Sequence, residues 1–168
     1  MGKDMALTFD AAILFLAVSL PVCVWVAWND MKFMKIPNRA VLALGALFLI
    51  TGLIALPLPE YGWRLVSLAV VLVIGFVLNL AGPIGAGVAN FAAVLAPFIQ
   101  CADARLFLVL FAAVLLAAFL THRAFRALPA MRGMAGDWAS WTRKEFPMGL
   151  ALGSALAIYL GLGVAYGA

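Results

Sequence analysis

The sequence predicts an all-α protein of one domain, residues 1–168, that crosses a membrane about six times. Hydrophobic residues make up 67% of the chain and charged residues only 11%, which leaves too little polar surface to coat a soluble protein of this size. The apolar residues form long unbroken runs rather than the alternating pattern of outer-membrane strands. Helices follow, because backbone groups inside a bilayer must be hydrogen-bonded within the chain.

The candidate helices are close to the length of about 20 apolar residues that spans a hydrocarbon core of roughly 30 Å. The six segments are residues 11–28, 39–58, 63–81, 84–100, 104–122 and 146–166. In the last of them small residues recur at every fourth position, which predicts close packing against a neighbouring helix. These residues are Gly149, Gly153, Ala157 and Gly161.

Basic residues are distributed unevenly between the two sides of this predicted topology, and cytoplasmic connections carry such an excess. With six crossings, both ends of the chain face outward and the connections after the first, third and fifth helices face the cytoplasm. The net charge of +4 is then largely explained by topology, and no nucleic-acid partner is predicted. Eight of the eleven basic residues fall on the cytoplasmic side: Lys32, Lys35, Arg39, Arg123, Arg126, Arg132, Arg143 and Lys144.

Two motifs fall on this cytoplasmic side. The first is Asp30 at the end of the first segment, followed by Ile36-Pro37-Asn38. Proline at position 37 suits the start of a turn or helix, and Asn38 can cap the second helix. Taken alone, Asp30 could be a hydrated charge at the membrane edge, near Lys32 and Lys35.

The second motif, Gly85-Ala86-Gly87-Val88-Ala89-Asn90, opens the fourth segment. Its glycines would let another chain approach the backbone closely. Elsewhere, the two cysteines and the single histidine are too few and too widely separated to build a zinc site or a disulfide framework. The sequence therefore predicts no metal and no cofactor.

Together with Phe146-Pro-Met-Gly-Leu-Ala-Leu-Gly153, these motifs resemble the type IV prepilin peptidase family, especially the short forms that accompany tight-adherence (Flp) pili. The resemblance covers nearly the whole chain. It implies a multi-pass protein of the bacterial inner membrane that acts as an aspartyl endopeptidase and removes a prepilin leader at the cytoplasmic face. It also implies the prepilin leader peptide, the lipid bilayer and pilus-assembly proteins as partners.

Members of this family are described as using two aspartates, because hydrolysis needs one group to take a proton and another to donate one. Asp30 matches the first aspartate. The second belongs to a Gly-x-Gly-Asp pattern, and this chain has Val88 there, with Asn90 where lysine is common. Valine has no proton to exchange, so the chain is predicted to be catalytically inactive or impaired. The resemblance further implies a site shaped by Ile36, Pro37, Asn38, Gly85, Ala86, Gly87 and Asn90.

Another carboxylate could replace the missing one only if it lay on the same side. Asp103 is predicted on the outer side, whereas Asp137 and Glu145 are cytoplasmic and reach the site only if the connection 123–145 folds back. The mixture of tryptophan and basic residues in that connection favours a segment lying on the inner leaflet over a substrate-binding element.

Three hypotheses remain open. In the first, the chain is an active endopeptidase that uses Asp30 and an unrecognised partner. In the second, it is an impaired member of the family that still binds prepilin or pilus-assembly proteins without cleaving. The third hypothesis is an unrelated transport role, which is the weakest because ionisable residues are missing from the predicted helix centres.

Overall fold

The computed structural model describes residues 5–127, 138–143 and 145–167. Within these residues it is all-helical, with seven α-helices and two short 3-10 turns, Ala96–Phe98 and Cys101–Asp103. The helices are α1 (Phe9–Phe33), α2 (Asn38–Ala55), α3 (Leu58–Ala81), α4 (Ala86–Leu95), α5 (Ala104–Ala127), α6 (Ala139–Thr142) and α7 (Met148–Tyr166). Five of them are long and apolar enough to cross a membrane: α1, α2, α3, α5 together with the preceding 3-10 turn, and α7. The prediction of an all-α polytopic membrane protein is confirmed.

The fourth predicted segment, 84–100, forms a helix that is shorter than a full crossing. Helix α4 and the 3-10 turn after it cover residues 86–98, about 20 Å at 1.5 Å per residue. The segment still runs from one end of the bundle to the other. At its beginning, Val88 lines a cavity with Asp30. At its end, shortly before α5, the amide of Gln100 donates a hydrogen bond to the hydroxyl of Tyr159. In its described part, the chain therefore has five long apolar helices that could span a membrane and one shorter apolar helix.

Helices α1 and α7 form the central pair of the bundle. A Cβ atom at Gly153 would lie 3.1 Å from the carbonyl oxygen of Cys23, and one at Gly163 would lie 2.9 Å from the Cβ of Ala12. Small residues therefore let the two backbones approach closely, as predicted.

The predicted four-residue stripe on α7 is correct only over its first part. A helix turns by about 100° per residue, so positions spaced by four drift about 40° at each step. By Gly161 the stripe has left the contact face, and a Cβ there would meet nothing within 4 Å. Gly163, fourteen residues after Gly149, returns to the face that packs on α1.

The end of the bundle remote from Asp30 is held together by buried polar groups. Asp103 accepts hydrogen bonds from the amides of Ala6 and Leu7 (2.9 and 3.1 Å) and from the hydroxyl of Tyr159 (2.9 Å). Arg64 is only 1% exposed, although the sequence places it among the basic residues of the outer side. It donates to the carbonyl of Pro97 at 3.1 Å and to Glu60 at 2.7 Å, one helical turn earlier.

Candidate active site

Asp30 lies in the last turn of α1, and its side chain is buried, with 5% of its surface exposed. The alternative of a hydrated charge at the membrane edge does not fit this burial. One carboxylate oxygen, Oδ2, accepts a hydrogen bond of 2.6 Å from the backbone amide of Gly149. From the described part of the chain, the other oxygen receives no hydrogen bond, so Asp30 keeps capacity to bind a further group.

The start of α7 supplies the partner of Asp30. Gly149 is in the first turn of α7, where backbone amides lack acceptors within the helix and carry partial positive charge. A Cβ at this position would lie 2.9 Å from Oδ2 of Asp30 and 3.0 Å from Cγ1 of Val26. Glycine is therefore needed for the helix to approach the carboxylate this closely.

Asp30 opens onto a cavity of about 460 Å³ between the ends of α1, α4 and α7. Val88, in the first turn of α4, lines the same cavity, as does Gly85, which precedes α4. The other lining residues are Met34, Pro83, Ile84, Arg143, Glu145, Phe146 and Met148. Among the predicted site residues, the structure thus brings Asp30, Gly85 and Val88 together around one space.

The Ile36-Pro37-Asn38 motif forms the entry to α2 beside this cavity. A Cβ on Gly87 would lie 3.4 Å from the Cβ of Ile36, so Gly87 faces the segment that joins α1 and α2. Pro37 occupies the N-cap position and Asn38 is the first helical residue, with an exposed side chain. The expectation that Asn38 caps α2 is wrong, because the helix begins one residue earlier than that role requires.

Ala86 and Asn90 point away from Asp30. Both line a different depression of about 390 Å³, together with residues of α3 such as Phe76 and Asn79. Position 90 follows Val88 by two residues, which turns it by about 200° around the helix axis. The structure does not bring these two predicted site residues to the cavity.

The connection before α7 contributes residues that the sequence did not predict as site residues. Arg143 and Glu145 both line the Asp30 cavity, and Phe146 packs edge-on against His122, with ring centroids 5.8 Å apart. The connection is anchored further by Arg126, which donates to the carbonyl of Arg143 at 2.8 Å. Asp137, the other acid considered there, lies outside the described residues.

Aromatic stacking explains why residues 138–143 lie beside the site. Trp141 stacks on His122 with centroids 5.3 Å apart, and Trp138 stacks on Trp141 at 6.1 Å. Trp138 in turn meets Trp28 of α1 edge-on at 5.1 Å. The tryptophans that suggested a membrane-surface segment thus pack on α1 and α5, and this packing brings the residues that follow to the cavity.

A comparison of the sequence with protein-family models identifies the family of this chain. A family model described as the type IV leader peptidase family matches residues 14–122, more than half of the chain. The chain belongs to the type IV leader peptidase family. Searches of curated proteins and of solved structures give no match.

Membership of the type IV leader peptidase family identifies a prepilin-peptidase-type membrane protein. The matched residues contain Asp30 and Val88, two of the residues that meet at the cavity. Glu145, which lines the cavity, and Gly149, whose amide bonds Asp30, lie beyond the matched region.

Proposed function

We propose that this chain is a prepilin leader peptidase of the tight-adherence (Flp) type whose catalytic pair is incomplete, so that leader cleavage is slow or absent. The observation that carries the proposal is that Asp30 and Val88 line one cavity. Residues 1–168 would act as a single membrane domain.

The chemical argument concerns the proton transfers of peptide hydrolysis. Two neighbouring carboxyl groups that share one proton can act together, because one takes a proton from water while the other protonates the carbonyl oxygen of the peptide. Val88 offers neither function at its position. Loss of a positioned acid or base costs about 10²- to 10⁴-fold in rate, and pairs that act as a unit lose most of their effect when one member is missing.

The cavity also has features that suit a peptide substrate. Met34, Phe146 and Met148 provide apolar walls beside Asp30, and Gly85 leaves the backbone accessible. A prepilin leader junction would lie across these residues with its scissile carbonyl near the unbonded oxygen of Asp30. Ile36, Pro37, Asn38 and Gly87 would act indirectly, by fixing the segment that joins α1 to α2 next to α4.

We propose that this site faces the cytoplasm in the bacterial inner membrane. Six of the eight basic residues in the described ranges lie at the Asp30 end, whereas the other two, Arg64 and Arg105, lie at the Asp103 end. Such an excess favours the cytoplasmic side. The six are Lys32, Lys35, Arg39, Arg123, Arg126 and Arg143.

Thiol labelling in intact cells tests the orientation, because Cys101 is exposed at the Asp103 end and Cys23 is buried. A membrane-impermeant maleimide should label Cys101 in cells whose outer membrane has been made permeable. In a Lys35→Cys, Cys101→Ala variant, labelling should appear only after the inner membrane is opened. The reverse pattern would contradict the cytoplasmic assignment.

Leader cleavage in membrane vesicles tests the proposed function. The native chain, Val88→Asp and Val88→Asn would each be mixed with a tight-adherence-type prepilin that carries its leader. Aspartate should raise the cleavage rate by about 10²-fold or more, whereas asparagine, which has the same shape without an ionisable proton, should not. Equal rates for the two variants would show that carboxylate chemistry at position 88 is not what the chain lacks.

The second candidate function is a non-catalytic prepilin-binding or pilus-assembly protein, which Val88 itself favours. In that case the native chain should retain the uncleaved prepilin during detergent purification. The Val88→Asp variant should then bind prepilin equally well and still not cleave it.

A further inference from the structure

We propose that Glu145 supplies the second carboxylate of this site, so that the native chain cleaves slowly through an Asp30 and Glu145 pair. This inference rests on the proposed function and names a catalytic residue for the same site. Its basis is that Glu145 lines the same 460 Å³ cavity as Asp30 and Val88.

The chain connectivity keeps Glu145 close to Asp30. Glu145 stands four residues before Gly149, whose amide holds Oδ2 of Asp30 at 2.6 Å. Four residues extend to at most about 14 Å, and the segment turns into α7 at Met148, so the Cα atoms of Glu145 and Gly149 lie closer together than that. A glutamate side chain is one methylene longer than an aspartate and can reach further across the cavity.

The segment before Glu145 is held against the bundle, while the Glu145 side chain itself is exposed at the cavity. The aromatic stack from Trp28 through Trp138 and Trp141 to His122, together with the bond from Arg126 to the carbonyl of Arg143, holds the residues before it against the bundle. Among the described residues, the one ion pair within 4.0 Å joins Arg64 and Glu60, so Arg143 does not engage the Glu145 carboxylate although both line the cavity.

The reaction balances with one proton shared between the two acids. The ionised carboxylate takes a proton from water as the water oxygen bonds to the scissile carbon, and the protonated acid gives its proton to the carbonyl oxygen. The diol then loses a proton to the second carboxylate, the carbon–nitrogen bond breaks, and the first acid protonates the leaving amine. The pair ends with one proton, as it began.

Leader cleavage by the full-length chain in phospholipid vesicles tests the inference, with a tight-adherence-type prepilin as substrate. The chains to compare are native, Asp30→Asn, Glu145→Gln, Glu145→Asp, Val88→Asp and Val88→Asp with Glu145→Gln. Asp10→Asn is the matched control, because it removes an exposed carboxylate from the first turn of α1, at the opposite end of the bundle. Thermal unfolding in detergent shows whether each variant is folded.

The inference predicts slow cleavage by the native chain that falls about 10²-fold or to background in Glu145→Gln and survives in part in Glu145→Asp. Asp10→Asn should cleave like the native chain. With aspartate at position 88, Glu145→Gln should change the rate by less than about threefold, because the usual pair is then complete.

The inference is overturned if Glu145→Gln cleaves as fast as the native chain, or if the native chain shows no cleavage above an Asp30→Asn variant. It is also overturned if Glu145→Gln is as damaging in the Val88→Asp background, since Glu145 would then serve folding or substrate binding. A failure of the proposed function looks different: Val88→Asp would give no gain in rate, whatever the residue at position 145.

Discussion

Asp30 and Asp103 form the most instructive pair in the molecule, because the same residue type occurs at opposite ends of the bundle with the same exposure of 5%. Both oxygens of Asp103 are occupied, by the amides of Ala6 and Leu7 and the hydroxyl of Tyr159. Asp30 accepts one hydrogen bond on Oδ2 and lines a cavity. Burial alone does not distinguish these two carboxylates, whereas the number of occupied oxygens does.

The largest expected difference in stability comes from removing each carboxylate in turn. Asp103→Ala leaves two backbone amides and the Tyr159 hydroxyl without their acceptor, so it should lower the free energy of unfolding by about 3–6 kcal/mol. Asp30→Ala leaves one amide unbonded and should lower it by about 1–2 kcal/mol. Denaturant unfolding in mixed micelles measures both, and equal losses would refute the distinction drawn between the two ends.

A smaller effect is expected from crowding Asp30. Gly149→Ala places a methyl group 2.9 Å from Oδ2 of Asp30 and 3.1 Å from its Cβ, so α7 must shift, at about 1–3 kcal/mol. Gly161→Ala on the same helix meets nothing within 4 Å and should be neutral or slightly stabilising. Melting temperatures of the two variants in detergent measure this difference. Equal melting temperatures would contradict the close contact between α1 and α7 at Gly149.

The smallest effect concerns a single bond at the Asp103 end. Tyr159→Phe removes the hydroxyl that donates to Asp103 at 2.9 Å and accepts from the Gln100 amide at 3.1 Å. Hydrogen bonds between membrane helices average about 0.6 kcal/mol, so the loss should be about 1 kcal/mol or less. Prepilin cleavage by a Val88→Asp chain should not change with this variant, since Tyr159 is remote from the cavity. A large loss of cleavage at unchanged stability would couple the two ends.

The sequence was sufficient to predict the five long helices, because apolar runs near 20 residues have few alternatives in a bilayer. The shortness of α4 was not predicted, since its apolar run continues through Pro97 into 3-10 turns. The burial of Arg64 was missed as well, although Glu60, four residues earlier, was a signal of an ion pair within one helix.

The site was predictable only where local spacing determines it. Once α4 begins at Ala86, the turn of about 100° per residue separates Val88 from Asn90, and this could have been worked out from the sequence. The bond from Gly149 to Asp30 joins residues 119 positions apart, and the packing of Trp138 and Trp141 brings Glu145 to the cavity. No local pattern carries such long-range contacts, so they required the structure.

The central claim is that Asp30 and a carboxylate placed at position 88 act on one reacting group. A double-mutant cycle in prepilin cleavage tests this claim most directly. The four chains are native, Asp30→Asn, Val88→Asp and the double variant, reconstituted at equal amounts and checked for folding. The account predicts that Val88→Asp raises the rate about 10²-fold or more when Asp30 is present and gives no increase in the Asp30→Asn background. An equal increase in both backgrounds would show that a carboxylate at position 88 works without Asp30, and would contradict the account.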